Sequence, residues 1–67
     1  MEIVIGAMVN GMFIKKGSKV RMAKKNYNSF HAIVTDVDEE RIDFIFEDDE
    51  NGCFEYWDNI DFVELVQ

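Results

Sequence analysis

The stretch from Glu47 to Asp58 places Glu47, Asp49, Asn51, Gly52 and Asp58 at positions 1, 3, 5, 6 and 12 of a calcium-loop pattern, the spacing at which oxygen ligands converge on a hard cation. The pattern departs from a working loop in three ways. Position 1 is Glu, position 12 is the shorter Asp, and the flanks alternate like strands where an EF-hand requires helices. A solvated acidic hairpin turn is the expected reading, and no metal site is assigned. His31 and Cys53 supply the sole imidazole and thiol of the chain. Nucleophilic catalysis needs a third group to orient the imidazole, and no oxyanion loop or phosphate cradle stands beside either residue. They read as a strand histidine and a small half-buried thiol. Carboxylates are abundant, but they fall on expected turns that offer a general acid no apolar pocket. The residue types point to binding, with no catalytic residue and no cofactor expected.

Two charged sets and one aromatic set carry that binding. Residues 1–29 hold six of the seven basic side chains and residues 30–67 hold thirteen of the fourteen acidic ones, within a net charge of -7. Lys15, Lys16, Lys19, Arg21, Lys24 and Lys25, with Tyr27 nearby, have the components that follow a phosphate backbone and stack a base. Against this, cross-strand pairing with acids, at about 0.2–1 kcal/mol a pair, is expected to neutralise at least half of the six. The remaining acidic surface, Asp36, Asp38, Glu39, Glu40, Glu47, Asp48, Asp49 and Glu50, belongs to two turns expected at one end of the molecule. Such a patch speeds encounter with a basic protein surface in a salt-dependent way. By analogy with small acidic inhibitors it also imitates a nucleic-acid backbone, whereas its plainer role is solubility. Among the aromatic residues, alternation sets Phe54 with Tyr56, and Trp57 with Cys53 and Glu55. Phe54 and Tyr56 are expected to fill the core, and Trp57, beside Asp58 at a strand end, to be the exposed anchor.

The elements that must position these groups are short. A chain of 67 residues makes one domain with a small core. With 48% hydrophobic content and nine aromatic residues it has the apolar surface to fold. The single Cys53 rules out a disulfide within the chain, which suits a reducing cytoplasmic setting. The apolar run Ile3–Val9 lacks a preceding basic stretch and falls short of the roughly 20 residues of a membrane span. It reads instead as an added N-terminal strand or arm within residues 1–12, closing the fold or pairing with a second copy.

After residue 12 the apolar pattern has period two. Lys19–Met22 alternates, Phe30–Val37 is rich in β-branched residues, and Arg41–Glu47 sets Ile42, Phe44 and Phe46 on one core-facing side with Ile45 on the other. Asp38-Glu39-Glu40 makes the first turn, pairing Val37 with Ile42. Asp48-Asp49-Glu50-Asn51-Gly52 makes a second, with Asn-Gly where positive backbone angles are wanted. Cys53–Trp57 returns, Asp58-Asn59-Ile60 makes a helical turn, and Phe62–Val66 closes. The fold class is all-β, with five or six short antiparallel strands in a closed or nearly closed barrel, which removes the exposed edges of a small sheet.

The succession Phe13-Ile14-Lys15-Lys16-Gly17-Ser18-Lys19-Val20-Arg21, Ala32–Asp38, Ile42–Phe46, Tyr56-Trp57 and Val63–Val66 resembles the small SH3-like barrels of the KOW and Tudor type over residues 13–67. The glycine usual in the second strand of the KOW group stands here as Ala32. The resemblance implies a binding module. KOW-like modules contact RNA or DNA, and Tudor-like ones cage methylated ammonium groups by cation-π attraction. The expectation is a non-enzymatic module, a monomer or small homo-oligomer without a membrane partner. It would engage a basic protein partner through Asp38, Glu39, Glu47, Asp48, Asp49, Glu50, Tyr56 and Trp57. The alternative is nucleic-acid binding through Lys15, Lys16, Lys19, Lys24, Lys25 and Tyr27.

Overall fold

The computed structural model describes residues 6–9 and 11–66 of the chain. Its strands are β1 (Gly6–Val9), β2 (Met12–Lys15), β3 (Lys19–Lys24), β4 (Phe30–Val37), β5 (Arg41–Phe46), β6 (Asp49–Tyr56) and β7 (Ile60–Leu65), with one 3-10 turn at Trp57–Asn59. β1 and β2 form a hairpin, while the other five make an antiparallel sheet in the order β6-β5-β4-β3-β7. The molecule is a small all-β domain, an arrangement consistent with an SH3-like barrel in general.

Alternation places one side of each central strand in the core. Val20 and Met22 of β3, Ala32, Val34 and Val37 of β4, Ile42 and Phe44 of β5, and Val63 of β7 are all buried. A register shift between Val34 and Asp36 admits an extra residue on β4. Such a bulge inverts the alternation, so Val34 and Val37, three apart, both face inward. Ile14 of β2 is fully buried against the same cluster. The hairpin thus covers the open side of the sheet, with β1 and β2 lying over β4 and β2 reaching β7.

The sheet is not closed by hydrogen-bonded strands, in contrast to the closed form of the expected barrel. Its edges, β6 and β7, are joined by the 3-10 turn. Lys25 N donates to Asn59 O (2.9 Å) and Lys24 Nζ lies 3.5 Å from Glu55 Oε2. These contacts bring the end of β3 against the end of β6, so the sheet curls without a completing ladder. The expected N-terminal strand pairs with β2 of its own chain, from Gly6 opposite Lys15 to Val9 opposite Met12; the part of that expectation falling on residues 1–5 lies outside the described residues.

Two local expectations shift. The β5–β6 turn is Glu47-Asp48, with Phe46 opposite Asp49, so Asn51 and Gly52 lie inside β6. The step from Phe46↔Asp49 to Phe44↔Cys53 shows why: β6 carries two additional residues there, taken up as an irregularity instead of a longer turn. Phe46 is on the core side as expected, 5.2 Å from Phe30 and 5.8 Å from Phe44 between ring centres, but at the sheet's end it is still 36% exposed.

Candidate functional site

The first turn is built around Asp38. Its Oδ1 accepts from the backbone N–H groups of Glu40 (2.8 Å) and Arg41 (3.0 Å), while Asp38 N donates to Arg41 O (3.0 Å). An aspartate at the head of a turn satisfies the backbone this way. The two N–H groups, Glu40's first, hold its carboxyl below the usual value, and the Arg41 charge acts in the same direction.

Trp57 locks this turn to the end of β6. Its indole Nε1 donates to Asp38 O (2.8 Å) and its backbone N to Glu40 O (3.1 Å). The ring packs against the core and is half-buried. This corrects the expectation of an exposed anchor: the indole is a half-buried clamp. Two shallow clefts flank it, one of about 440 Å3 lined by Gly6, Met8, Val9, Asp38, Glu39 and Trp57. The other, about 340 Å3, is lined by Glu39, Glu40, Tyr56, Trp57 and Asp58. Four acidic residues, Asp38, Glu39, Glu40 and Asp58, therefore line the two clefts with Tyr56 and Trp57.

The other acidic residues are elsewhere. Consecutive hairpins turn at opposite ends of their shared strand, and β5 separates Asp38–Glu40 from Glu47-Asp48. The two turns do not sit together, contrary to the expectation drawn from the sequence. Glu47, Asp48, Asp49 and Glu50 stand at the start of β6 and Tyr56, Trp57 and Asp58 at its finish; with Asp49 opposite Phe46 and Tyr56 opposite Arg41, the length of β5, on the order of 17 Å, holds them apart. Glu47 and Asp58 consequently cannot share one cation, and the calcium-loop spacing is a strand. Among the described residues no group of three or more His, Cys, Asp or Glu side chains is arranged to hold a metal ion. His31 is exposed on the outer side of β4, whereas Cys53 faces the core from β6. They lie on opposite faces of the sheet.

Phe54 and Tyr56 overturn the expectation of core packing, being 50% and 47% exposed. The register pairs inward Phe44 with Cys53, so Phe54, opposite Asp43, and Tyr56, opposite Arg41, point outward. Their rings meet edge to face at 5.6 Å, and the Arg41 guanidinium lies 4.6 Å from the Phe54 centroid. Arg41 Nε also lies 3.1 Å from Asp43 Oδ1, an ion pair without hydrogen-bond alignment. Arg41 was not singled out in the sequence. The signal was its position directly after the first turn, two residues before Asp43.

The basic set divides as well. Lys15, Lys16 and Lys19 surround the β2–β3 turn, where Gly17 takes φ +90° and donates to Val34 O. Lys24, Lys25 and Tyr27 border a cleft of about 300 Å3 with Glu55 and Asn59 beyond the far end of β3. Lys24 Nζ sits 4.6 Å from the Tyr27 ring centre. Arg21 bonds Glu64 (2.6 Å) and Ser29 (3.2 Å) and lies over Phe62. Of the six basic residues, Arg21 and Lys24 form ion pairs among the described residues, not the expected half. Arg21 lies opposite Glu64 on β7 and Lys19 opposite Ile33, whereas Lys24, opposite Ile60, reaches Glu55 through the curl of the sheet.

No helix among the described residues is long and apolar enough to cross a membrane. Compared with known proteins, the chain matches no family model, no curated protein and no solved structure.

Proposed function

We propose that this protein is a non-enzymatic interaction module, of the SH3-like type and similar to KOW and Tudor domains, that captures a protein partner bearing a basic surface. The observation that carries the reading is the fixed juxtaposition of Asp38, Glu39, Glu40 and Asp58 with Tyr56 and Trp57 along two adjoining clefts. Carboxylates attract lysine and arginine side chains at range, and the aromatic rings hold them at contact. The Arg41–Phe54 pair is an internal example of the same guanidinium-on-ring contact. In its sharper form the partner is a nucleic-acid-binding protein whose basic surface accepts these carboxylates in place of phosphates.

Nucleic-acid binding is the second reading. It is favoured by Lys15, Lys16 and Lys19, which form no ion pair among the described residues and cluster at one turn. Capture from lysate separates the two readings. Glu39→Lys with Asp58→Lys is expected to weaken partner recovery at least tenfold, with nuclease treatment making no difference. Lys15→Glu, Lys16→Glu and Lys19→Glu together should leave recovery intact. Recovery of nucleic acid, lost in the lysine variant, would transfer the function to the basic turn.

A further inference from the structure

We infer that β6 is itself a docking edge, taking an extended basic segment of the partner as an added antiparallel strand. This rests on the reading that a basic protein partner is captured, and it names how. Among the described residues β6 is the terminal strand of the five-stranded sheet and pairs only with β5. Away from the Glu55 end, which Lys24 meets, its second side presents main-chain groups to whatever approaches, and an open edge of this kind templates another strand. The continuous pairing of β6 with β5 runs from Cys53 to Tyr56, and the irregularity between Asp49 and Cys53 leaves residues 50–52 without a partner on β5. The backbone at Gly52, near its middle, is unobstructed: a Cβ placed there meets nothing within 4 Å. A glycine inside a strand suits close backbone approach as well as the local irregularity it accompanies. The strand also carries the half-exposed rings of Phe54 and Tyr56 on its outer face, where an edge needing only protection would carry none.

Charge selects the occupant. Residues 47–58 contain Glu47, Asp48, Asp49, Glu50, Glu55 and Asp58 and no lysine or arginine. A second copy of β6 laid antiparallel about Gly52-Cys53 would set Glu50 against Glu55 twice, and like charges directly opposite repel. A segment alternating Lys or Arg with β-branched residues has no such conflict. Its backbone would follow β6, its cations on one face would reach Phe54 and Tyr56, and its two ends would meet the acidic groups at Glu47–Glu50 and Asp38–Glu40. Strand addition thus unites two acidic turns that the fold holds apart, and an extended segment of about eight residues spans both.

The test leaves the protein unaltered. The isotope-labelled full chain is titrated with a (Lys-Thr)5 peptide and with the same peptide N-methylated at alternate residues, which keeps its charge but blocks one hydrogen-bonding edge. Strand addition is expected to slow amide exchange along Asn51–Glu55 at least tenfold, and N-methylation to weaken binding at least tenfold. Equal affinity for both peptides, with shifts confined to Asp38–Glu40 and Tyr56–Asp58, would overturn strand addition while leaving the cleft reading in place. Absence of shifts at either end of β6 would remove both. A mass that rises with concentration in the absence of peptide, with Asn51–Glu55 protected, would assign the edge to self-pairing and overturn the proposal.

Discussion

At single residues, what each side chain contributes depends on its face. Phe44 is buried between Phe30 and Phe46, so Phe44→Ala removes a ring from a closed cluster and should cost about 3–5 kcal/mol in denaturant unfolding. Phe54→Ala, of the same chemistry but on the outer face, should cost no more than about 1 kcal/mol, the Arg41 contact included. Equal losses would mean that β6 has the opposite face inward. Asp38 sets an acid limit on the first turn. Its folded pKa is depressed by the Glu40 and Arg41 N–H groups, so its contribution is complete above the unfolded carboxylate value and is lost as pH falls through the folded one. Stability followed from neutral pH into the acid range should fall less steeply for Asp38→Asn than for the native chain, because the variant has no charge to lose. These behaviours were partly legible in the sequence. The Asp at the head of a turn and the alternation around Phe44 are local signals, whereas the inward or outward choice for Phe54 needs its register opposite Asp43 on the neighbouring strand.

Elements respond where backbones meet. Gly6 lies so near the Ile14 carbonyl that an added Cβ would collide with it. Gly6→Ala should push β1 off β2, costing about 1–3 kcal/mol and raising amide exchange across the hairpin. Gly17 has open space around it but φ +90°, so Gly17→Ala should cost about 1 kcal/mol of backbone strain and leave the hairpin's exchange unchanged. Trp57→Phe keeps the ring and deletes the indole donor to Asp38 O. It should cost about 0.5–1.5 kcal/mol and speed exchange at Arg41 and Trp57, whose amides tie the same turn. Unchanged exchange there would show that the ring, not the hydrogen bond, holds the turn. Period-two alternation located β3 and β5, although β3 runs two residues past the expected Lys19–Met22, and β-branched content located β4, Phe30–Val37. The Asn-Gly dipeptide misled because its turn preference is local. Cross-strand pairing placed the reversal at Glu47-Asp48 and left Asn51 and Gly52 in the strand.

The whole molecule is small and strongly acidic. At 67 residues its stability should be on the order of 3–10 kcal/mol, so the loss of Phe44 removes a large fraction of it. On the proposed reading, a net charge of -7 makes encounter with a basic partner electrostatic. Raising ionic strength from about 0.1 M to about 1 M shortens the screening length from roughly 10 Å to roughly 3 Å. The association rate with a basic partner should fall steeply over that range while dissociation changes little, as stopped-flow mixing would report. A rate insensitive to salt would sink the acidic-surface reading at either end of β6.

The sequence by itself determined the all-β class, the central strands, the Asp38–Glu40 turn and the division of charge, because each is written in neighbouring residues through alternation, turn chemistry or simple addition of charges. Only the tertiary structure decided which acidic groups share an end, that Phe54 and Tyr56 face outward, that Trp57 clamps a turn, and that β6 is left as an edge. Those outcomes depend on register, on two irregularities in the ladders, and on the curl that brings β3 to the end of β6. All three are set by contacts between segments far apart along the chain, and no local pattern encodes them.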